Sequence, residues 1–137
     1  MKTTFDLNTI LFRILNVHKD ELALTGAIYK DDDRPMNSEK EDISINTIDL
    51  TVDYAPQIAT SNVNIHVPDK IVKLGGSDQY KKNDPRLKEL TAKVIDLIKS
   101  EHVPDVGLNI EGQSLLKDVD SSHQHYSNIR ISWSIHN

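Results

Sequence analysis

Between residues 42 and 69 the chain reads DISINTIDLTVDYAPQIATSNVNIHVPD, with an apolar residue at every second position for almost the whole stretch. Side chains of a strand point alternately to opposite faces, so this pattern calls for strands with one apolar and one polar side. Ile48, Leu50, Val52 and Tyr54 are expected on one face. After Pro56 the alternation resumes at Val63, Ile65 and Val67, while Asn62, Asn64 and His66 point the other way. A sheet with two such different faces lays one on helices and offers the other to solvent or a partner. Ile43 and Ile45 occupy odd positions and Ile48 an even one, a change of phase around Asn46 and Thr47 that a β-bulge would absorb. Pro56 cannot donate to a ladder, so residues 55–61 are expected to connect two antiparallel strands.

Helices should cover the apolar side. Leu7, Ile10, Leu11, Ile14 and Leu15 recur at helical spacing, with Thr4 or Asp6 placed to accept from the first free N–H groups. Leu87, Leu90, Val94, Leu97 and Ile98 form a second stripe, which Asp84 and Pro85 should start and Pro104 should end. Residues 22–30 place Leu24, Gly26 and Ile28 on one face and read as a short edge strand. Residues 107–113 and 127–136 also alternate, the latter through Ile129, Ile131, Trp133 and Ile135. The fold class expected is therefore α+β, an antiparallel sheet with amphipathic helices packed on one face and long polar loops. Leu50, Val52, Val63, Ile65, Ile131 and Trp133 should form its buried face, under Leu90, Val94 and Leu97. Tyr54 and Trp133 are expected in the core rather than as platforms for a ligand.

Two stretches resist assignment to the sheet. Residues 30–42, KDDDRPMNSEKED, hold nine charged residues and only Met36 as a core former, so a solvated, mobile loop is expected. Residues 68–83, PDKIVKLGGSDQYKKN, are long for a connection, and Gly75-Gly76 argues against a continuous strand or helix.

At 137 residues the chain is expected to be one domain with one core. Its 21 acidic and 16 basic side chains leave a formal charge of -5, which disfavours wrapping a phosphate backbone and hence sequence-specific DNA binding. Cysteine is absent, which removes disulfides, thiolate metal sites and a cysteine nucleophile together. The first 16 residues carry Asp6 and Arg13 and no long apolar run, so no signal peptide is expected, and no segment reads as a membrane span.

Chemical motifs are weak. His123 and His125, with Asp118 or Asp120 nearby, could reach a metal from an extended segment, but histidines in a polar turn are the commoner reading. Asp31, Asp32 and Asp33 fail the EF-hand pattern, which would put Met36 where glycine is needed and Asp42 where a bidentate glutamate belongs. Pro104-Asp105 followed by Glu111 and Gln113 resembles a Mg²⁺ nuclease arrangement, with Gln113 in place of the lysine that would activate water. Gly75-Gly76 lacks the Gly-Lys-Ser/Thr of a phosphate loop, and no nucleophile-elbow sequence surrounds a serine. No catalytic residue, cofactor or metal is expected.

The order of elements is a leading helix at Leu7 to Leu15, the strand SNVNIHVPD, the helix PRLKELTAKVIDLIKS and the closing strand HYSNIRISWSIHN. This arrangement resembles the small tail-completion, tail terminator-like or head-tail joining proteins of tailed phages and prophages. The resemblance implies a structural, non-enzymatic virion subunit, assembled in the host bacterial cytoplasm as a ring, often a hexamer, between connector and tail-tube proteins. Such a ring completes or terminates the tail and lets DNA pass, and an acidic subunit suits a lumen through which DNA must slide. Both long polar segments, residues 30–42 and 68–83, are expected to dock on neighbouring subunits. The alternatives are a small metal-dependent nuclease using Asp105 and Glu111, and a monomeric binding module using the Asn62, Asn64 and His66 face.

Overall fold

The computed structural model describes residues 1–118 and 123–136. The chain runs α1 (Thr4–Asn16), α2 (Lys19–Leu22), β1 (Ile28–Lys30), β2 (Asp42–Leu50), β3 (Gln57–Pro68), β4 (Lys70–Leu74), β5 (Ser77–Lys81), α3 (Asp84–Ser100), β6 (Val106–Lys117) and β7 (Gln124–Ile135). Five strands form one sheet in the order β1-β2-β3-β7-β6, and β4 with β5 forms a separate hairpin. The large sheet is antiparallel except at one edge, where β1 pairs with β2 in parallel. The fold is thus α+β with a mixed sheet, and the edge strand expected over residues 22–30 is confined to its last three residues.

The two long helices, α1 and α3, are started by the expected kind of chemistry, with the capping residue shifted from the sequence candidates. Thr3 rather than Thr4 is the N-cap of α1: its hydroxyl accepts from the Asp6 N–H, and the Asp6 carboxylate, expected to accept from a free N–H, does so from Thr3 at 2.7 Å, a reciprocal capping box. The Thr3 N–H and the Thr3 hydroxyl, both donating to the Asp6 carboxylate, hold it below its ordinary pKa. Asn83, not Asp84, caps α3, with Pro85 in the first turn, where its missing N–H leaves no helical bond unmade. The α3 residues Leu87, Leu90, Val94 and Ile98 are buried, each such side chain contributing about 1.5–3 kcal/mol relative to exposure. Arg86 fastens this helix to the chain entering β2. Its guanidinium grips Glu41 with two hydrogen bonds of 2.7 and 2.9 Å and donates to the Leu22 and Ala23 carbonyls.

The helices α1 and α3 lie on one face of the sheet, against Ile43, Ile45, Val63, Ile65, Ile129, Ile131 and Trp133. The expected phase is right for β3 and β7 and right for only part of β2. Ile43 and Ile45 point inward opposite Ile65 and Val63, and the register slips between Thr47 and Asp49. That bulge leaves Ile48 52% exposed while returning Leu50 to the core opposite Ala59. Val52 and Tyr54, expected inside, are 54% and 69% exposed, because β2 has already ended and the chain is turning toward Pro56. A second slip, between Ile110 and Gly112, sets Glu111 apart in β6.

One chain of hydrogen bonds crosses this core. The Trp133 Nε1–H donates to Ser61 Oγ at 2.8 Å, and Ser61 and Thr47 share a 2.7 Å bond. Thr47 donates to Asn8 Oδ1, and Asn8 Nδ2 donates to Asp31 Oδ1. With the Ser61 hydroxyl donating to Thr47, every link has a donor and an acceptor, so α1, β2, β3 and β7 are fixed in one mutual position.

Candidate functional site: a braced polar face and a projecting arm

The face away from the helices carries Ser44, Asn46, Asn62, Asn64, His66, Tyr126, Asn128 and Arg130, because these alternate with the buried set. Its centre is an amide ladder in which Asn128 Nδ2 donates to Asn62 and Asn64 at 3.1 and 2.7 Å. Segment 31–41 folds across one end of this face. The segment is the solvated loop its composition implied, with most of its residues including Met36 exposed, but it is tethered to the sheet through Arg34.

Arg34 Nε donates to Asp42 Oδ2 at 3.0 Å, a second guanidinium nitrogen donates to Gln124 Oε1 at 2.8 Å, and Asp118 lies 3.8 Å away. Gln124 in turn donates to the Ser38 carbonyl. Asp42 is fully buried and accepts from the Ala27 N–H and the Ser38 hydroxyl as well as from Arg34, which satisfies its charge. Gly26 is required beside it: a Cβ there would sit 1.8 Å from Asp42 Oδ1 and 2.6 Å from the Glu41 carbonyl oxygen.

His66 occupies the floor of the resulting cleft, about 580 Å³ in volume and bordered by Asp31, Asp32, Arg34, Ser44, Asn64 and Asp118. Its Nε2 shares a 2.9 Å hydrogen bond with Ser44 Oγ. Its Nδ1 is buried with no hydrogen-bond partner among the described residues, Asp118 Oδ2 being 4.0 Å away. Burial of the ring, then the Arg34 charge, lower the His66 pKa from 6.5 to about 4, against the opposing pull of Asp118 and Asp42. The imidazole is therefore neutral at physiological pH. Ser44, His66 and Asp118 follow the order of a hydrolytic triad, but 4.0 Å is beyond hydrogen-bond reach of the ring nitrogen that the acid would have to orient.

The second feature is the arm. Residues 68–83, expected as a loop, contain the β4–β5 hairpin, and Gly75-Gly76 is its two-residue turn, with φ of 60° and 82°. Positive φ at both central residues matches the right-handed twist of the flanking strands, which is why the glycine pair closes a hairpin rather than breaking a strand. All ten strand residues of the arm are exposed except half-buried Val72. Its root is anchored. His125 Nδ1 meets the buried Asp69 carboxylate at 2.7 Å, the Asp69 N–H donates to the His123 carbonyl, and the His123 ring stacks on Tyr80 with centroids 3.5 Å apart.

The sequence candidates are thereby placed. His123 and His125 brace the arm, and Asp120 lies outside the described residues. Among the described residues, no three His, Asp or Glu side chains converge as metal ligands would. Asp105, in the turn before β6, and Glu111, at its bulge, are separated by extended strand, roughly 20 Å at the usual rise, so they do not form a joint site. No described helix is long and apolar enough to cross a membrane. Sequence reading missed Arg34 and Asp42, whose only local signal was a charge run, and it missed the arm, whose signal was the paired glycines. The chain matches no protein-family model and no curated protein sequence, so the argument for its function rests on this geometry.

Proposed function

We propose that this chain is a structural subunit of a phage or prophage head-tail junction, assembling as a ring that completes the tail and lets DNA pass. The observation that carries the reading is the arm: a regular hairpin, anchored at its root by His125 and Asp69, that exposes Ile71, Leu74 and much of Tyr80. Strands with a solvated ladder on both faces are poor candidates for independent stability, and a projecting apolar hairpin is the kind of element that interlocks subunits. Of the two segments first expected to interlock, 31–41 is folded against its own sheet, and the arm is the one that stands exposed along its length. Exposed Ile48, Val52, Tyr54 and Ile58 gather around the β2–β3 turn and offer a second contact surface. The net charge of -5 suits a subunit that DNA must pass without adhering.

Light scattering on the purified protein, alone and with isolated connectors or tail tubes, tests the reading. A closed oligomer, or stoichiometric addition to either particle, is expected. A chain that stays monomeric at high concentration and binds neither particle would overturn it. The braced cleft around His66 supports a second reading, a monomeric binding module using the polar face.

A further inference from the structure

The two faces of the arm are electrostatically different. On one face Lys73 lies directly opposite Asp78, and Ile71 opposite Tyr80, on one side of which His123 stacks. On the other face Lys70 lies directly opposite Lys81, beside Val72 and Leu74. Opposite charges paired across a ladder stabilise it, whereas like charges so placed destabilise it. On the first face the register sets opposite charges across from each other, whereas the second carries a pair of like-charged, exposed ammonium groups flanked by apolar side chains. Such a surface calls for a carboxylate-bearing partner.

A surface of that kind exists on the same molecule. Asp31 and Asp32 border the polar-face cleft beside Ser44, Asn46 and Asn64, and Asp32 and Asp33 stand exposed next to them. The Arg34 charge does not neutralise this group, because it is directed to Asp42 and Gln124. An acidic chain of net charge -5 with a basic arm has its charges divided so that one copy complements the next.

We infer that the Lys70 and Lys81 face of the arm docks in the polar-face cleft of a second copy, its ammonium groups against Asp31 and Asp32, and that this contact links successive subunits. The inference rests on the ring reading above and names its interface. The contact is heterologous, one surface meeting a different one, and repeated about an axis it closes a ring.

The test is a charge exchange read by sedimentation equilibrium. Lys70→Glu with Lys81→Glu, and separately Asp32→Lys, are each expected to weaken self-association by about tenfold or more, and the two sets combined in one chain should recover most of it. Asp31 is left intact because it accepts from Asn8. Lys73→Glu, on the arm's opposite face, should change association by less than about twofold. These arm substitutions lie outside the core, so loss of fold does not confuse the reading. An oligomer that ignores Lys70→Glu/Lys81→Glu, or one equally weakened by Lys73→Glu, overturns the docking while leaving the ring standing. A monomer under every condition overturns both. Intact assembly with lost affinity for duplex DNA in the Lys70→Glu/Lys81→Glu variant also overturns it, making the arm a nucleic-acid contact.

Discussion

The five-stranded sheet and the β4–β5 arm are both ladders in which residue types alternate, but they differ in what lies on each side of them. The sheet has α1 and α3 on one face and segment 31–41 over part of the other, so each strand position has a defined environment. The arm has water on both faces along most of its length, and its alternation sorts charge pairs rather than apolar from polar. Cross-strand pairs in such a ladder contribute only about 0.2–1 kcal/mol each, so the arm holds its shape through its glycine turn and its anchored root. Stability should therefore reside in the sheet, and association in the arm.

The largest effect that would probe this division is in the core. Trp133→Ala should destabilise the domain by roughly 3 to 5 kcal/mol, since it removes a fully packed ring and the donor that starts the Ser61–Thr47–Asn8 chain. A urea midpoint close to that of the parent protein would show that the core does not depend on this ring.

Next comes the brace on the polar face. Arg34→Ala leaves the Asp42 carboxylate buried without its cation and should cost about 3 kcal/mol, read from the same denaturation curves. The charge run 31–41 should then become sensitive to proteolysis. An unaltered midpoint and digestion pattern would show that Arg34 does not hold the segment in place.

Acid should act on the same brace. His66 is neutral in the folded protein with a pKa near 4, against 6.5 for an unperturbed ring, so between those values the unfolded chain takes up a proton that the folded one refuses. Stability from this residue is thus fully present above pH 6.5 and is lost as pH falls toward 4, by something on the order of 3 kcal/mol. Denaturation midpoints measured from pH 7.5 to 4.5 should fall more steeply in the parent than in His66→Gln. Parallel slopes would refute the assignment.

The smallest expected change in stability comes from the arm. Replacing residues 70–81 with a short glycine-serine linker should alter unfolding free energy by about 1 kcal/mol or less, because no core side chain is lost. Self-association should disappear in the same variant, and equilibrium sedimentation would detect its survival. A large loss of stability would erase the distinction between the two regions.

Much of the fold was legible locally. Leu87, Leu90, Val94 and Ile98 are buried because a helix brings positions three and four apart to one side, and that geometry needs no partner to be read. Val63, Ile65, Ile131 and Trp133 are buried for the corresponding reason in strands. Even the phase change in β2 was visible, and the bulge at Ile48 answers it. The reading failed at Val52 and Tyr54 because alternation does not say where a strand ends. It failed at residues 68–83 because length and glycine content were weighed above the turn that two adjacent glycines can make.

The candidate site was hardly legible, and for a different physical reason. Arg34 meets Asp42 within the same charge run, but it meets Gln124 ninety positions away, and Gly26 makes room for Asp42 across a turn sixteen residues earlier in the chain. Nothing periodic marks such partners, since hydrogen bonds and ion pairs depend on distances that only the assembled sheet sets. The same holds for His123 and His125, which the sequence offered as metal ligands and the fold uses to root the arm. By itself the sequence determined which residues form helices and strands and which sides of them seek burial, because those preferences act over neighbouring residues. Only the tertiary structure decided which charges are buried and paired and which stay exposed on the arm, because the free energy of a charge is set by whatever the fold places around it.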